Sequence, residues 1–271
     1  MNQQKKLWRY IDLSKFIDLL NRKELFFTRL DKFDDPFEGA STQKDYLDRE
    51  EFFKNSELYS DNKENKYALF LEHNNEQIRY YVLNSLNDVQ ESFKVKRKLY
   101  FANCWHLNEF ESEAMWKLYL QSGEGIAIQT SVERLERSLK DVPTKYMREV
   151  KYIDYQNERF EGEDDQAAVY FFKRNHFEHE KEYRVIIPHV FSKDDGGQYK
   201  IVDEDEQNKH FGIHIPVTDL STLIENVYIS PTAPEWFTDV VTAVIERFNL
   251  TNEKGELQRP IKSSLKQIPF Y

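Results

Sequence analysis

Apolar residues along this chain come in two rhythms, short runs of strand length and longer stretches at helical spacing, and the two are not regularly interleaved. Leu7-Trp8-Arg9-Tyr10 reads as a first strand, and Ser14 then offers an N-cap for a helix through Phe16, Ile17, Leu19 and Leu20. Leu25 to Leu30 reads as a second strand. It runs into Asp34-Asp35-Pro36-Phe37-Glu38-Gly39, a turn by its Asp, Pro and Gly. Residues 42–96 carry Glu, Lys, Asn, Leu and Tyr at helical spacing without Gly or Pro, which predicts two or three helices. Their basic end, Lys94 to Lys98, suits a helix C-terminus, where cations are favoured; a nucleic-acid contact is the other reading.

Lys98 to Cys104 has the continuous apolar character of a buried strand. Glu109 to Gln121 has the spacing of a helix with Met115, Trp116, Leu118 and Tyr119 inward, ended by Gly123. Gly125 to Thr130 is a further strand, and Thr130-x-x-Glu133 forms a capping box for the next helix. Val150 to Tyr155 reads as a strand, Asp165 to Lys173 as a helix and Glu180 to Pro188 as a strand. More strands fall near 199–203, 211–217 and 226–230, before Thr232-x-x-Glu235 caps a helix to about Phe248. Without regular βαβ alternation, this mixture predicts an α+β fold: a mixed central sheet of short strands with flanking helices. With no linker or repeat in view, the chain parses as a single domain, 1–271, with a helical insertion at about 42–96.

Composition then removes several functions. The chain has 8 Gly in 271 residues, and none fall as G-x-G-x-x-G or G-x-x-x-x-G-K-[ST]; in the nearest approach, Gly123-Glu124-Gly125, Ile128 stands where the third glycine belongs. The phosphate-cradling loops of Rossmann dinucleotide-binding folds and P-loop NTPases are therefore missing. With 20 Phe, 16 Tyr and 4 Trp, the chain has aromatic area enough for a core, so the 32% of charged residues does not signal disorder. Cys104 is the single cysteine, Met1 to Lys6 is polar, and no stretch approaches a membrane span, so the expected setting is reducing and cytoplasmic, without a membrane. A net charge of −10 argues against broad wrapping of nucleic acid but permits a local basic groove.

The sharpest chemical signal is Glu180-Lys181-Glu182-Tyr183-Arg184, followed by an apolar run to Pro188. In a strand, residues two apart share a face at roughly 6.5 to 7 Å, so Glu180, Glu182 and Arg184 would line one side. Paired carboxylates suit an oxocarbenium-like transition state, one stabilising positive charge and the other activating an acceptor. The same pattern also describes an edge strand whose arginine pairs with a glutamate. Ser112, Met115, Trp116 and Tyr119 share a helical face with Glu111 beside it. They read either as core or, with Trp105, as a wall for a flat ring, with Glu111 or Ser112 on a ribose hydroxyl. His176, Glu178, His179, Glu180 and Glu182 could together ligate a divalent ion, although His-x-x-His-Glu is not the zincin order. Cys104 with His106 has the residue types of a nucleophile and its base, but two positions apart in a strand they stand too far apart to bond. No G-x-S-x-G is present.

Glu180-x-Glu182 with its apolar run resembles the catalytic strand of arginine-serine-glutamate ADP-ribosyltransferases. Arg9 resembles that family's first-strand arginine, and Phe101-Ala-Asn-Cys104-Trp105-His106 holds the place of its Ser-Thr-Ser strand, although Asn-Cys-Trp replaces those residues. The resemblance implies an NAD-using enzyme. Glu182 would be the catalytic carboxylate, Glu180 would orient the acceptor, a protein or nucleic acid, and Arg9 would hold the NAD phosphates. Cys104, Trp105, Glu111, Trp116, Tyr119 and Arg184 would complete the cofactor site, with no metal. Phe33 to Glu38, Cys104-Trp105-His106, Glu111-Ser112-x-x-Met115-Trp116-x-x-Tyr119, Glu180-x-Glu182-x-Arg184 and Ile229-Ser230-Pro231 together also resemble a widespread bacterial family of unknown function. An ADP-ribosyltransferase of this kind would serve as a toxin or in phage defence. The alternatives are a non-enzymatic sensor or partner-binding module in bacterial defence or regulation, and a metal-dependent nuclease or hydrolase.

Overall fold

A computed structural model describes residues 4–48, 93–94, 96–120, 123–161, 165, 167–188, 191–193, 199–201 and 211–266. The expected insertion at 42–96 lies outside the described residues except at its ends, where residues 43–48 are helical. The strands are β1 (Lys6–Ile11), β2 (Glu24–Arg29), β3 (Tyr100–Leu107), β4 (Ile126–Ser131), β5 (Tyr146–Glu149), β6 (Lys151–Ile153), β7 (Phe172–Arg174), β8 (Glu182–Pro188), β9 (Phe191–Lys193), β10 (Tyr199–Ile201), β11 (Gly212–Pro216), β12 (Asn226–Ile229) and β13 (Ile261–Lys262). The named helices are α1 (Leu13–Arg22), α2 (Glu113–Tyr119), α3 (Val132–Ser138), α4 (Leu220–Leu223) and α5 (Glu235–Arg247). The fold is α+β, with a mixed central sheet in the order β11-β2-β3-β1-β4-β12-β13, and β8 and β5 on the far side of β3. Its ladders are antiparallel except β12 with β13. Among the described residues no helix is long and apolar enough to cross a membrane.

β3 organises the sheet, and its two edges are used differently. Along one edge β8 pairs continuously from Tyr100↔Pro188 to His106↔Glu182. The other edge is shared: β2 takes the start, at Phe101 and Ala102, and β1 takes the end, at His106 and Leu107. Neither pairs with residues 103–105, so β1 and β2 part there, and a split opens in the sheet. The Asn103 side chain spans it, donating from Nδ2 to the Phe26 carbonyl at 2.9 Å.

Alternation along the strands sorts the two faces. Leu7, Trp105, Ile128, Val185 and Val227 face the main core under α1, α3, α4 and α5. On the reverse face Trp8, Tyr10 and Ala127 pack under Met115 and Trp116 of α2. Further along that face, Tyr100, Ala102 and Ile186 pack against Tyr170 and Phe171. Between those two apolar clusters lie Cys104, His106, Glu182 and Arg184.

Several local expectations are revised. Asp12 caps α1, accepting from the Lys15 amide at 2.8 Å, while Ser14 lies inside the first turn with its hydroxyl on Asp12. Ser131, not Thr130, caps α3: its hydroxyl accepts from the Arg134 amide at 3.2 Å, while Thr130 lies one position back inside β4. Thr232 does not cap α5: Pro234 stands at that position and the Thr232 hydroxyl donates to the Gly123 carbonyl. The helix expected over 165–173 is a 3₁₀ turn at Ala168–Phe171 followed by β7, the partner of β6. The predicted helix at 109–121 is shorter, and Leu118 and Tyr119 are more than half exposed rather than inward. An N-cap that bonds the first-turn amides contributes about 1 kcal/mol. Asp12→Ala should therefore lower unfolding free energy by about 1 kcal/mol in urea titrations, with Ser14→Ala costing clearly less.

Candidate functional site

The polar strip on the reverse face is assembled from separate segments. β8 supplies Glu182 and Arg184, the turn at 35–39 supplies Asp35 and Glu38, β7 supplies Lys173 and Arg174, and the 3₁₀ segment Asn175–Glu180 ends on Glu180. Gly39 closes its turn with φ of 72°, and a Cβ there would meet Tyr170 Cε1 at 2.8 Å, so the turn that delivers Glu38 requires glycine. Lys181 is left-handed, with φ of 41°. The expected strand therefore starts at Glu182, and Glu180 approaches it from a turn rather than by strand alternation.

Arg184 is fully buried. Its Nε donates to Glu182 Oε2 at 2.7 Å and its Nη2 to Oε1 at 3.1 Å. Nη1 stands 2.5 Å from Glu38 Oε2 and donates to the Tyr170 carbonyl at 2.9 Å. Lys173 Nζ lies 2.7 Å from Glu182, 2.9 Å from Glu180 and 3.4 Å from Glu38. Arg174 pairs with Asp35 at 2.9 Å, and the Glu182 amide donates to the Tyr152 hydroxyl at 2.8 Å.

The two glutamates are thereby driven apart. Burial opposes ionisation of Glu182, but Arg184 and Lys173 outweigh it and hold its carboxyl well below the usual range. Glu180 is pushed up to about 7, by burial first and the Glu182 charge second, with Lys173 only partly compensating. Counting charges gives the reason: Lys173, Arg174 and Arg184 are matched by Asp35, Glu38 and Glu182, which leaves Glu180 as the surplus acid.

A cavity of about 1080 Å³ opens beside this network. Glu180, Glu182, Lys173, Cys104 and His106 line it on the reverse face, and it passes through the split in the sheet to Lys15 and Asp18 of α1. Arg9 stands in that passage. By alternation it belongs with Leu7 and Ile11, yet its guanidinium enters the split, with Nη2 donating to the Phe26 carbonyl at 3.5 Å and Cζ 5.7 Å from the Trp105 ring centroid. Nη1 is buried without a partner among the described residues.

The sequence-predicted residues divide accordingly. Arg9, Cys104, Trp105, Tyr119, Glu180 and Glu182 line one cavity. Arg184 lies behind its wall, holding Glu182. Trp105 underlies Arg9 and satisfies its own ring N–H on Asn103 at 2.6 Å. Trp116 and Glu111 are not among the walls: the indole N–H donates to Glu111 at 2.9 Å. Burial and Glu182 push the Cys104 thiol up, which keeps it a thiol rather than a thiolate. His176, Glu178 and His179 are exposed, and among the described residues no group of three His, Cys, Asp or Glu is placed to hold a metal ion. Sequence reasoning missed Lys173, hidden in an expected helix; Asp35, Glu38 and His106 appeared as parts of a turn or of family motifs, without a role in the site.

Fold and site together define an α+β protein with a buried ion network walling a cavity that crosses its sheet. Residues 115–185, from α2 to β8, match the model of a family described as a protein of unknown function (DUF2971). That span includes Lys173, Glu180, Glu182 and Arg184 but not Arg9 or Glu38. Comparisons with curated proteins and with solved structures returned no match.

Removing one partner of a buried ion pair costs about 3–5 kcal/mol because the other charge is stranded. Arg184→Met should destabilise by that order in urea denaturation, with Lys173 absorbing part of the loss. Glu180 gives a pH signature of defined sign. Between about pH 4.5 and 7 the folded chain holds a proton at Glu180 that the unfolded chain has released, so this group makes stability fall as pH rises through that window and level off above it. The change in unfolding free energy from pH 5 to pH 7.5 should be more positive in Glu180→Gln than in the wild type, by this contribution.

Proposed function

We propose that the protein is an NAD-using ADP-ribosyltransferase-like enzyme whose acceptor is a protein or nucleic acid. The observation that carries this reading is that Arg9, one of whose guanidinium nitrogens has no partner among the described residues, and the Glu180/Glu182 pair line the same cavity. An arginine edge is suited to a phosphate, which only accepts hydrogen bonds. A carboxylate held ionised is suited to positive charge developing at a sugar carbon as a glycosidic bond to nicotinamide breaks. Glu182 would take that role. Glu180, titrating near neutrality, would remove the proton of the acceptor as its nucleophilic atom bonds to that carbon. Tyr119 and Phe177 at the cavity wall are the rings near the carboxylates. Activity of this kind suits a toxin or a phage-defence effector.

One observation favours a second reading. Both Glu182 oxygens already accept from Lys173 and Arg184, as in a structural ion network, so a non-enzymatic binding or sensor module would have the same interior. Lys173 and Arg184 use three of a carboxylate's about four lone-pair sites, and the Cys104 thiol and Glu180 also bond to it, so a substrate hydroxyl would take the place of one of these weaker partners.

Incubation of the purified protein with labelled NAD and cell extract distinguishes the two. The enzyme reading expects nicotinamide release or transferred label, with kcat lowered on the order of 10²–10⁴-fold in Glu180→Gln and KM raised in Arg9→Gln, both variants retaining wild-type circular dichroism. Absence of cleavage across extracts, with NAD still bound in calorimetry, would establish the binding module; absence of both binding and cleavage would overturn the NAD reading.

A further inference from the structure

His106 is a cavity residue on the carboxylate side that neither the ion network nor the proposed chemistry uses. It lies on β3 opposite Glu182 of β8 and opposite Trp8 of β1, on the face that carries the carboxylates. Its Nδ1 is 2.6 Å from the Glu180 carbonyl oxygen. A carbonyl only accepts, so Nδ1 carries the hydrogen, and in the neutral ring the lone pair then lies on Nε2. Burial lowers the tendency of this ring to take a second proton, and Lys181 adds to that. Nε2 is buried and has no hydrogen-bond partner among the described residues. A buried acceptor in this state is costly, and such atoms in native proteins call for an explanation. The groups facing the ring do not supply one: the Tyr10 hydroxyl accepts from the Ser112 amide and makes no hydrogen bond to Nε2, and the Trp8 ring N–H is spent on the Asn108 carbonyl.

We propose that His106 Nε2 is a ligand contact that accepts a hydrogen bond from a sugar hydroxyl, making His106 a specificity-determining residue of the cavity. The inference rests on the reading that the cavity takes a nucleotide sugar. A neutral lone pair beside the ionised Glu182 selects a donor and rejects phosphate or carboxylate, which bring only acceptors. Phosphate is thereby directed toward Arg9 and the hydroxylated ring toward His106 and the carboxylates. Because Nε2 has no accessible surface in the unliganded fold, engagement requires a side-chain rotation at the cavity wall, a common extent of change on binding. The bond from Nδ1 to the Glu180 carbonyl also ties the ring to the segment that carries the titrating acid, so contact at Nε2 is felt where Glu180 is set.

The test is nitrogen NMR on full-length protein labelled with ¹⁵N-histidine, His106 being assigned by its loss in His106→Phe, with NAD and ribose 5-phosphate as separate probes. The free protein should show His106 neutral and protonated at Nδ1, and a saturating probe should move the Nε2 resonance toward its hydrogen-bonded value. His106→Phe should weaken the affinity of that probe roughly tenfold, the scale of one hydrogen bond. His106→Gln, which retains an acceptor, should recover part of it and guards against a folding defect. NAD binding with an unmoved Nε2 would overturn the inference and leave the NAD reading intact. A shift with ribose 5-phosphate while NAD fails to bind would support the inference and remove the NAD reading. An unmoved Nε2 with both probes, or an Nε2-protonated ring in the free protein, would overturn the inference.

Discussion

A guanidinium with no access to water holds the ion network of this molecule together, and its burial is sustained only because protein groups replace its hydration. The groups that satisfy Arg184 come from distant parts of the chain: Glu182 from its own strand, Glu38 from the glycine-closed turn near the N-terminal strands, and the Tyr170 carbonyl from the 3₁₀ turn before β7. Stranding any of these partners is costly, so the arginine fixes two loop segments against the sheet at once. Lys173 then bridges the carboxylates that Arg184 does not fully neutralise. The cavity wall is therefore held by charge, in a fold whose remaining layers are held by apolar packing.

The same network assigns the two glutamates different states. Glu182 is saturated with cations and kept ionised, whereas Glu180 shares one lysine with two other acids and titrates near neutral pH. Two carboxylates whose environments separate their affinities for protons are the arrangement from which acid–base roles are built. That separation depends on the break at Lys181: continuing the strand back to Glu180 would have placed it by alternation, away from the turn that now brings it to Lys173.

Legibility in the sequence followed periodicity. β1, β2, β3, β4, β11 and β12 were readable because their apolar runs have strand length, and α1 and α5 because their spacing is helical over several turns. Caps were less legible, since Asp12 and Ser14, or Thr130 and Ser131, are both chemically able to cap and only the exit angle of the strand decides between them. The helix expected at 165–173 failed because Tyr170 and Phe171 bury in one apolar cluster and Phe172 in another, with Ile153 and Tyr155, which a one-dimensional apolar count cannot separate. Within the site, Arg9, Glu180 and Glu182 could be singled out by residue type and order along the chain. Lys173 could not, and Asp35 and Glu38 stood out as a motif without their pairing, because a surface charge and a buried one look alike in a sequence until the fold brings their partners together. Trp116 and Glu111 illustrate the converse: they were singled out as site residues, yet they satisfy one another away from the cavity.

The divided edge of β3 has a mechanical consequence. No strand ladder joins β1 to β2 directly; the two halves of the sheet are connected through the backbone of β3, the Asn103 amide and the long bond from Arg9 to Phe26. Within the sheet, bending stiffness across that line is therefore carried by side chains, which are softer than a ladder, and α1, which leads from β1 into β2, spans the line from the core side. The sheet behaves as two plates on a common hinge strand, and the cavity occupies the seam, so whatever fills the seam braces the plates against each other.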